Sequence, residues 1–171
     1  TTTLPPVTAN DFSGDGNAAA LWSVENGALT TDSVGTNTLT DNNTVGTSSG
    51  TLGTTHQEFD ASADFESSQS EYLSIPDASL DSGFPLKSGE SNDDFSIAFW
   101  YKPESQSANH ALVSKADHSV ASSKTFLIRN DTGTLRFIIG NEAQTNYETL
   151  DNTYTSLTTG VWYHIGLTFN N

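Results

Sequence analysis

The amino-acid sequence predicts an all-β protein, a sandwich or barrel of antiparallel strands, and three observations carry that prediction. Short runs of β-branched and aromatic residues recur at spacings of roughly ten residues, with turn-forming residues between them. Two of these runs, 95–102 and 162–169, alternate in polarity with a period of two, the repeat of a strand with one buried face. No stretch of the 171 residues carries the long periodicity of an amphipathic helix.

Taken in order, residues 1–10 contain Pro5-Pro6 and no periodicity, and predict an extended arm. Residues 18–24, Ala-Ala-Ala-Leu-Trp-Ser-Val, suit either a strand or a short helical turn. Residues 29–40 hold few large apolar side chains, and 41–55 predict a low-complexity loop or weak strand. Texture changes near Phe59, where aromatic and regularly patterned sequence begins. Ala63-Asp64-Phe65-Glu66 and Tyr72-Leu73-Ser74-Ile75 predict strands on either side of Ser67-Ser68-Gln69-Ser70, and Pro76 closes the second because it lacks an amide to donate. In 95–102, Phe95, Ile97, Phe99 and Tyr101 fall on one face and Ser96, Ala98, Trp100 and Lys102 on the other. Residues 111–115, 126–129 and 135–139 follow as strands. Asn130-Asp131-Thr132-Gly133 joins the last two with residues that tolerate the backbone angles of a hairpin turn. In 162–169, Tyr163, Ile165, Leu167 and Phe169 oppose Trp162, His164, Gly166 and Thr168. This patterning assigns Trp100, Tyr101, Trp162 and Tyr163 to the core.

Charge removes several classes of function. Six Lys+Arg stand against 21 Asp+Glu, a formal net charge of -15, so a polyphosphate meets repulsion with no basic stripe to offset it. Nucleic acid is thereby excluded as an expected partner, and anionic membranes meet the same repulsion. No run of apolar residues reaches transmembrane length, so no membrane insertion is expected. With no Cys there is no disulfide framework, thiolate chemistry or zinc ribbon. Hydrophobic residues still make up 34% of the chain, including nine Phe, enough to build a core and to set it apart from an acidic disordered tail.

The serial order of five motifs resembles a known family. These are Ala63-Asp64-Phe65-Glu66, then Glu71-Tyr72-Leu73-Ser74-Ile75-Pro76, then 95–103 ending in Lys102-Pro103, then Leu112-Val113-Ser114-Lys115, then 157–169 from Leu157 to Phe169. Together they resemble the laminin-G-like group of concanavalin A-like jelly rolls. Upstream, 20–25 and the Asp32-Ser33-Val34-Gly35 loop resemble the first strand and the following loop of the same group. The resemblance implies an all-β antiparallel two-sheet jelly-roll sandwich over 11–171, behind the 1–10 arm. It also implies a non-catalytic module for glycan or protein recognition and adhesion, often with a structural calcium. In that group the strand resembling 162–169 is followed by a further hairpin and a closing strand, whereas this sequence stops at Asn170-Asn171. The expectation is therefore a jelly roll incomplete at its C-terminus, its sheet completed by further sequence, by neighbouring copies or by a second chain.

Candidate ligands to calcium are Asp11, Ser13, Asp15 and Asn17, oxygen side chains at alternate positions with Gly16 next in line, as in loops that wrap a hard cation. The position of the bidentate closing carboxylate is Trp22, so the pattern is not an EF-hand, and an acidic loop in an acidic protein gives rise to it easily. Asp32 is a further candidate metal ligand, against the alternative that its side chain bonds its own backbone in an Asx-turn. Tyr147 and Tyr154, in the polar segment 146–155, are the candidate sugar-binding residues, because a pyranose stacks its apolar face on an aromatic ring. No strong strand carries the Glu-x-Asp-x-x-Glu spacing of jelly-roll glucanases. Glu66 and Glu71 flank a turn, and Glu142 and Glu148 bracket a loop, so no catalytic residue is assigned. Asn42-Asn43-Thr44 and Asn130-Asp131-Thr132 match glycosylation acceptors in a chain rich in Asn and Thr.

The expected function is a non-enzymatic module outside a cell or on a virion surface that recognises a glycan or a protein surface. A structural subunit of a decoration, fibre or filament, completed by neighbouring chains, is the alternative. A polysaccharide-cleaving enzyme comes third for want of a carboxylate pair.

Overall fold

The computed structural model describes residues 14–48, 61–90, 94–115, 125–140, 147–151 and 156–170. Among them every strand pair is antiparallel and no α-helix occurs, so the chain is all-β. Contacts divide it into two compact units, Thr1–Phe84 and Pro85–Asn171.

Among the described residues the first unit holds four short strands: β1 (Thr40–Asn42), β2 (Gly46–Ser48), β3 (Ser62–Asp64) and β4 (Tyr72–Ser74). The predicted runs around 63–66 and 72–75 are strands, but they do not pair with each other: β3 lies against β2 and β4 against β1. Between them Ser67–Gln69 forms a 3-10 turn that ends on Ser70 in the left-handed region at φ 57°. Glu71 secures this turn by accepting the Glu66 amide at 2.7 Å. The β1–β2 connection is tied by Asp41 Oδ1, which accepts the Val45 amide at 2.9 Å. Residues 18–24 are neither strand nor helix; Trp22 makes one isolated antiparallel bridge to Asp32.

The second unit is the larger sandwich. It contains β5 (Phe95–Tyr101), β6 (Asn109–Lys115), β7 (Thr125–Asp131), β8 (Thr134–Gly140), β9 (Tyr147–Asp151) and β10 (Tyr163–Phe169). The strands β6-β7-β8-β9 form one sheet, and β10-β5 form a second, paired in register from Tyr163↔Tyr101 to Phe169↔Phe95. The expected hairpin joins β7 and β8 through Thr132 and Gly133, at φ 47° and 99°. Two successive left-handed residues match the twist of the flanking strands. The fully buried Asn130 closes the turn, its Oδ1 accepting the Gly133 amide at 2.7 Å while its Nδ2 donates to the Tyr101 hydroxyl at 3.2 Å.

The core of this unit is Leu86, Phe126, Ile128 and Phe137, with Phe95, Ile97, Phe99, Leu167 and Phe169 packed against it. Phe95 joins the two sheets, its ring centroid 5.3 Å from Phe126 and 5.8 Å from Phe169. Burying each such side chain is worth about 1.5–3 kcal/mol, which fixes the strand register, since a one-residue slip would bring the polar parity inward.

The candidate Tyr147 opens β9 opposite Gly140. One expectation is corrected. Trp100 is not core: it is 39% exposed, since its parity in β5 is that of Ser96 and Ala98 rather than that of the phenylalanines.

Candidate functional site

Because Phe95, Ile97 and Phe99 turn inward, β5 and β10 present the opposite parity to solvent, and the register arranges it in rows. Ser96 lies opposite Thr168, with their hydroxyl oxygens 3.0 Å apart. Next come Ala98 and Gly166, then Trp100 and His164, whose rings meet with centroids 4.9 Å apart and planes inclined at 45°. Just beyond the strand ends, Lys102 sets its ammonium 5.4 Å from the centroid of Trp162. Successive rows stand about 6.7 Å apart along a strand.

Each row has a distinct chemistry. The hydroxyl row offers donors and acceptors. The Ala98–Gly166 row has almost no side chain, and a Cβ built on Gly166 would meet nothing within 4 Å, so the floor there is open. The indole and imidazole rise beside it as an aromatic wall, and Lys102 over Trp162 supplies a held positive charge. A shallow polar-and-aromatic strip of this kind suits a ring with one apolar face and a hydroxylated rim. The sequence contained the signal that singles these residues out, the parity that sets Trp100 and His164 opposite the phenylalanines, and the assignment of Trp100 to the core overrode it.

A second constellation lies within the first unit, around Asp32. Asp32 is 8% exposed and Asn37 fully buried. Asp32 Oδ1 accepts the amides of Leu21 and Val34 at 2.9 and 3.0 Å, and Oδ2 accepts from Asn37 twice, from its backbone at 3.2 Å and its Nδ2 at 2.8 Å. Nδ2 of Asn37 also donates to Asp81 Oδ2 at 3.0 Å and to the Ala19 carbonyl at 3.2 Å, so three oxygens surround one amide nitrogen. Asn37 Oδ1 accepts the Asp81 amide at 2.8 Å, and the Asn37 carbonyl accepts the Trp22 indole N–H at 2.7 Å. Asp81 in turn receives the amide of Thr36 at 2.8 Å and its hydroxyl.

Burial opposes ionisation of Asp32, yet the amides of Leu21 and Val34, the Asn37 side chain and the Gly35 amide outweigh it and hold its carboxyl at about 2, below the ordinary 3.8. The Thr36 hydroxyl and amide likewise hold the Asp81 carboxyl below its usual range. Gly35 completes the knot by its lack of a side chain. A Cβ there would lie 2.5 Å from Asp81 Oδ2 and 2.8 Å from both Asn37 Nδ2 and Asp32 Oδ2.

Of the other residues singled out from the sequence, Asp15 and Asn17 share one exposed turn, in which Asp15 Oδ1 accepts the Asn17 amide at 2.9 Å. Asp32 belongs to the separate knot with Asn37 and Asp81. Asp11, Ser13 and Tyr154 lie outside the described residues.

With the fold and both constellations established, the class of protein follows. The sequence matches the laminin-G-type family described as the concanavalin A-like lectin/glucanases superfamily over residues 67–171, more than half of its length. The chain belongs to that family, and its antiparallel sheets are those of a concanavalin A-like β-sandwich. No curated protein and no solved structure gives a significant match. Laminin-G-like modules generally bind carbohydrate or protein without catalysing a reaction, and the wider superfamily also includes glucanases.

Proposed function

We propose that this chain is a non-catalytic recognition module, displayed outside a cell or on a virion, that binds a saccharide on the outer face of the β5–β10 sheet. The observation that supports this most is Trp100, a large aromatic 39% exposed on a regular strand and backed by the ring of His164. An indole with an exposed edge beside a floor of Ala98 and Gly166 suits the stacking of a pyranose. None of the eight residues of this strip carries a carboxylate, so the strip itself has neither the acid nor the nucleophile of a glycosidase. The test is a glycan array probed with the native chain and with Trp100→Ala, together with a reducing-sugar assay. Binding that Trp100→Ala abolishes, with no sugar released, is the expected result; an unchanged array profile or sugar release overturns the proposal.

A second role, assembly with neighbouring chains, is favoured by the two-strand width of the β5–β10 ladder. Among the described residues each of these strands has one edge without a described partner, and such an edge accepts strand addition. Concentration-dependent mass in light scattering would support it, and a constant monomer mass would remove it.

A further inference from the structure

We infer that Asn26 is a self-modification site, at which the backbone nitrogen of Gly27 displaces the side-chain nitrogen of Asn26 and the residue ages to isoaspartate or aspartate while the first unit stays folded. Of the 14 asparagines in the sequence, Asn26 alone is followed by Gly. The reaction needs only water and is independent of any ligand on the β5–β10 face.

The turn admits the reaction. Asn26 and Gly27 are the exposed central residues of a turn closed by the Ala28 amide on the Glu25 carbonyl at 3.0 Å. Among the described residues neither the Asn26 side chain nor the Gly27 amide has a hydrogen-bond partner. Gly27 has no Cβ to shield its nitrogen, and one built there would meet nothing within 4 Å, so the space around the turn is open. The turn must open for the nitrogen to reach Asn26 Cγ, and giving up its closing hydrogen bond slows the reaction by only about two- to tenfold. Val24, two residues back, is held at φ 51°, a strained value for a β-branched residue, and opening the segment lets that strain relax. Elsewhere the same step is hindered. Asn37 and Asn130 are fully buried. The side-chain nitrogen of Asn42 donates to the Thr40 and Tyr72 carbonyls and the Ser74 hydroxyl, and that of Asn43 to the Ser70 carbonyl. The Ala18 amide, which would attack Asn17, is bonded to the Asp15 carbonyl at 3.0 Å.

The Gly27 nitrogen loses its proton to hydroxide and bonds to Asn26 Cγ. The bond from Cγ to Nδ2 breaks, ammonia leaves with a proton taken from water, and a succinimide closes across residues 26 and 27. Water then opens that ring. Attack at the Cγ carbonyl leaves aspartate, whereas attack at the main-chain carbonyl leaves isoaspartate, whose backbone runs through the former side chain and is one methylene longer. Either product adds a carboxylate beside Glu25. The change falls at the tip of the loop from Trp22 to Asp32. The base of that loop is closed by the Trp22–Asp32 bridge, by the Ser33 amide on the Leu21 carbonyl at 2.8 Å and by the Leu21 amide on Asp32. Those bonds lie outside the turn, so the knot at Asp32 outlasts the modification.

The test is ageing of the full chain at pH 7 and pH 9, with isoaspartate labelled by an isoaspartyl methyltransferase and located by peptide mass spectrometry. Label at Asn26 should accumulate about tenfold or more faster than at any other asparagine, because only here is the attacking nitrogen that of a glycine. It should form faster at pH 9, since that nitrogen must lose its proton. Gly27→Ala should slow the labelling about fivefold or more by crowding the nitrogen. An alanine is strained at φ 80°, so Asn26→Gln is the second variant; it leaves Gly27 in place, lengthens the ring that must close and should remove the label. Asn17→Gln should leave the label unchanged. The aged chain should keep the tryptophan fluorescence and urea midpoint of the fresh one. Absence of label at Asn26, label that appears first at another asparagine, or label that forms as fast in Gly27→Ala overturns the inference, as does native fluorescence lost in step with labelling.

Discussion

Substituting Gly35→Ala tests the Asp32 knot by adding one methyl group. The new Cβ would fall 2.5 Å from Asp81 Oδ2 and 2.8 Å from Asn37 Nδ2 and Asp32 Oδ2, each closer than any carbon approaches such an atom without displacement. None of the three can move cheaply. Asp32 Oδ2 and Asp81 Oδ2 are both held by the buried Asn37 amide, and Asp81 also holds Thr36. Shifting Asn37 would break its two bonds to the carboxylates, and hydrogen bonds to charged groups are worth about 1.5–3 kcal/mol each. Gly35→Ala should therefore destabilise the first unit by about 3–6 kcal/mol. The assay is urea unfolding followed by circular dichroism and by tryptophan fluorescence, since the Trp22 indole is bonded to the Asn37 carbonyl. Gly14→Ala is the control, because a Cβ at Gly14 meets nothing within 4 Å and the residue is not in the left-handed region. If the two substitutions cost the same, to within about 0.5 kcal/mol, the knot does not hold the loop and the reasoning fails.

Three further predictions concern the same two units. The Asp32 carboxyl at about 2 in the folded chain against 3.8 ordinarily gives stability that is fully present above pH 4 and is lost as pH falls through 2. The span is worth about 2 kcal/mol, read from urea midpoints between pH 5 and pH 2. Asp32→Asn should flatten that pH dependence, and an equally steep fall in the variant would assign it elsewhere. Because Asn37 Nδ2 sits among oxygens of Asp32, Asp81 and Ala19, as a cation would, the melting temperature of the first unit should not rise with excess calcium over chelator; a rise would show a cation shaping this unit. Asn130→Ala should cost about 1–3 kcal/mol by leaving the Gly133 amide without its acceptor, measured as a lowered urea midpoint, and an unchanged midpoint would remove Asn130 as the clasp of the β7–β8 hairpin.

The second unit was the more legible in the sequence. Period-two alternation in 95–102 and 162–169 marked β5 and β10 because both strands bury one face only. The Asn130–Gly133 turn marked the β7–β8 hairpin through residues that accept left-handed angles. The first unit was less legible, since its strands are three residues long and owe their existence to side-chain ties such as Asp41 to Val45 rather than to apolar pattern. The partners of Asp32 were hidden for a related reason. Asp81 is 49 positions further along the chain, and no local spacing announces a bond made through Asn37. Trp100 was legible by its parity in β5 and misassigned because large aromatics are usually buried.

The most direct test of the account is a saccharide titration of the isotopically labelled chain followed by NMR. Shifts concentrated on the indole N–H of Trp100, the imidazole of His164 and the backbone amides of Ala98 and Gly166 are predicted, with β6 to β8 undisturbed. Shifts centred on the β6–β9 sheet or on the Asp15 turn, with the Trp100 indole unmoved, would contradict the assignment of the outer β5–β10 face as the binding site.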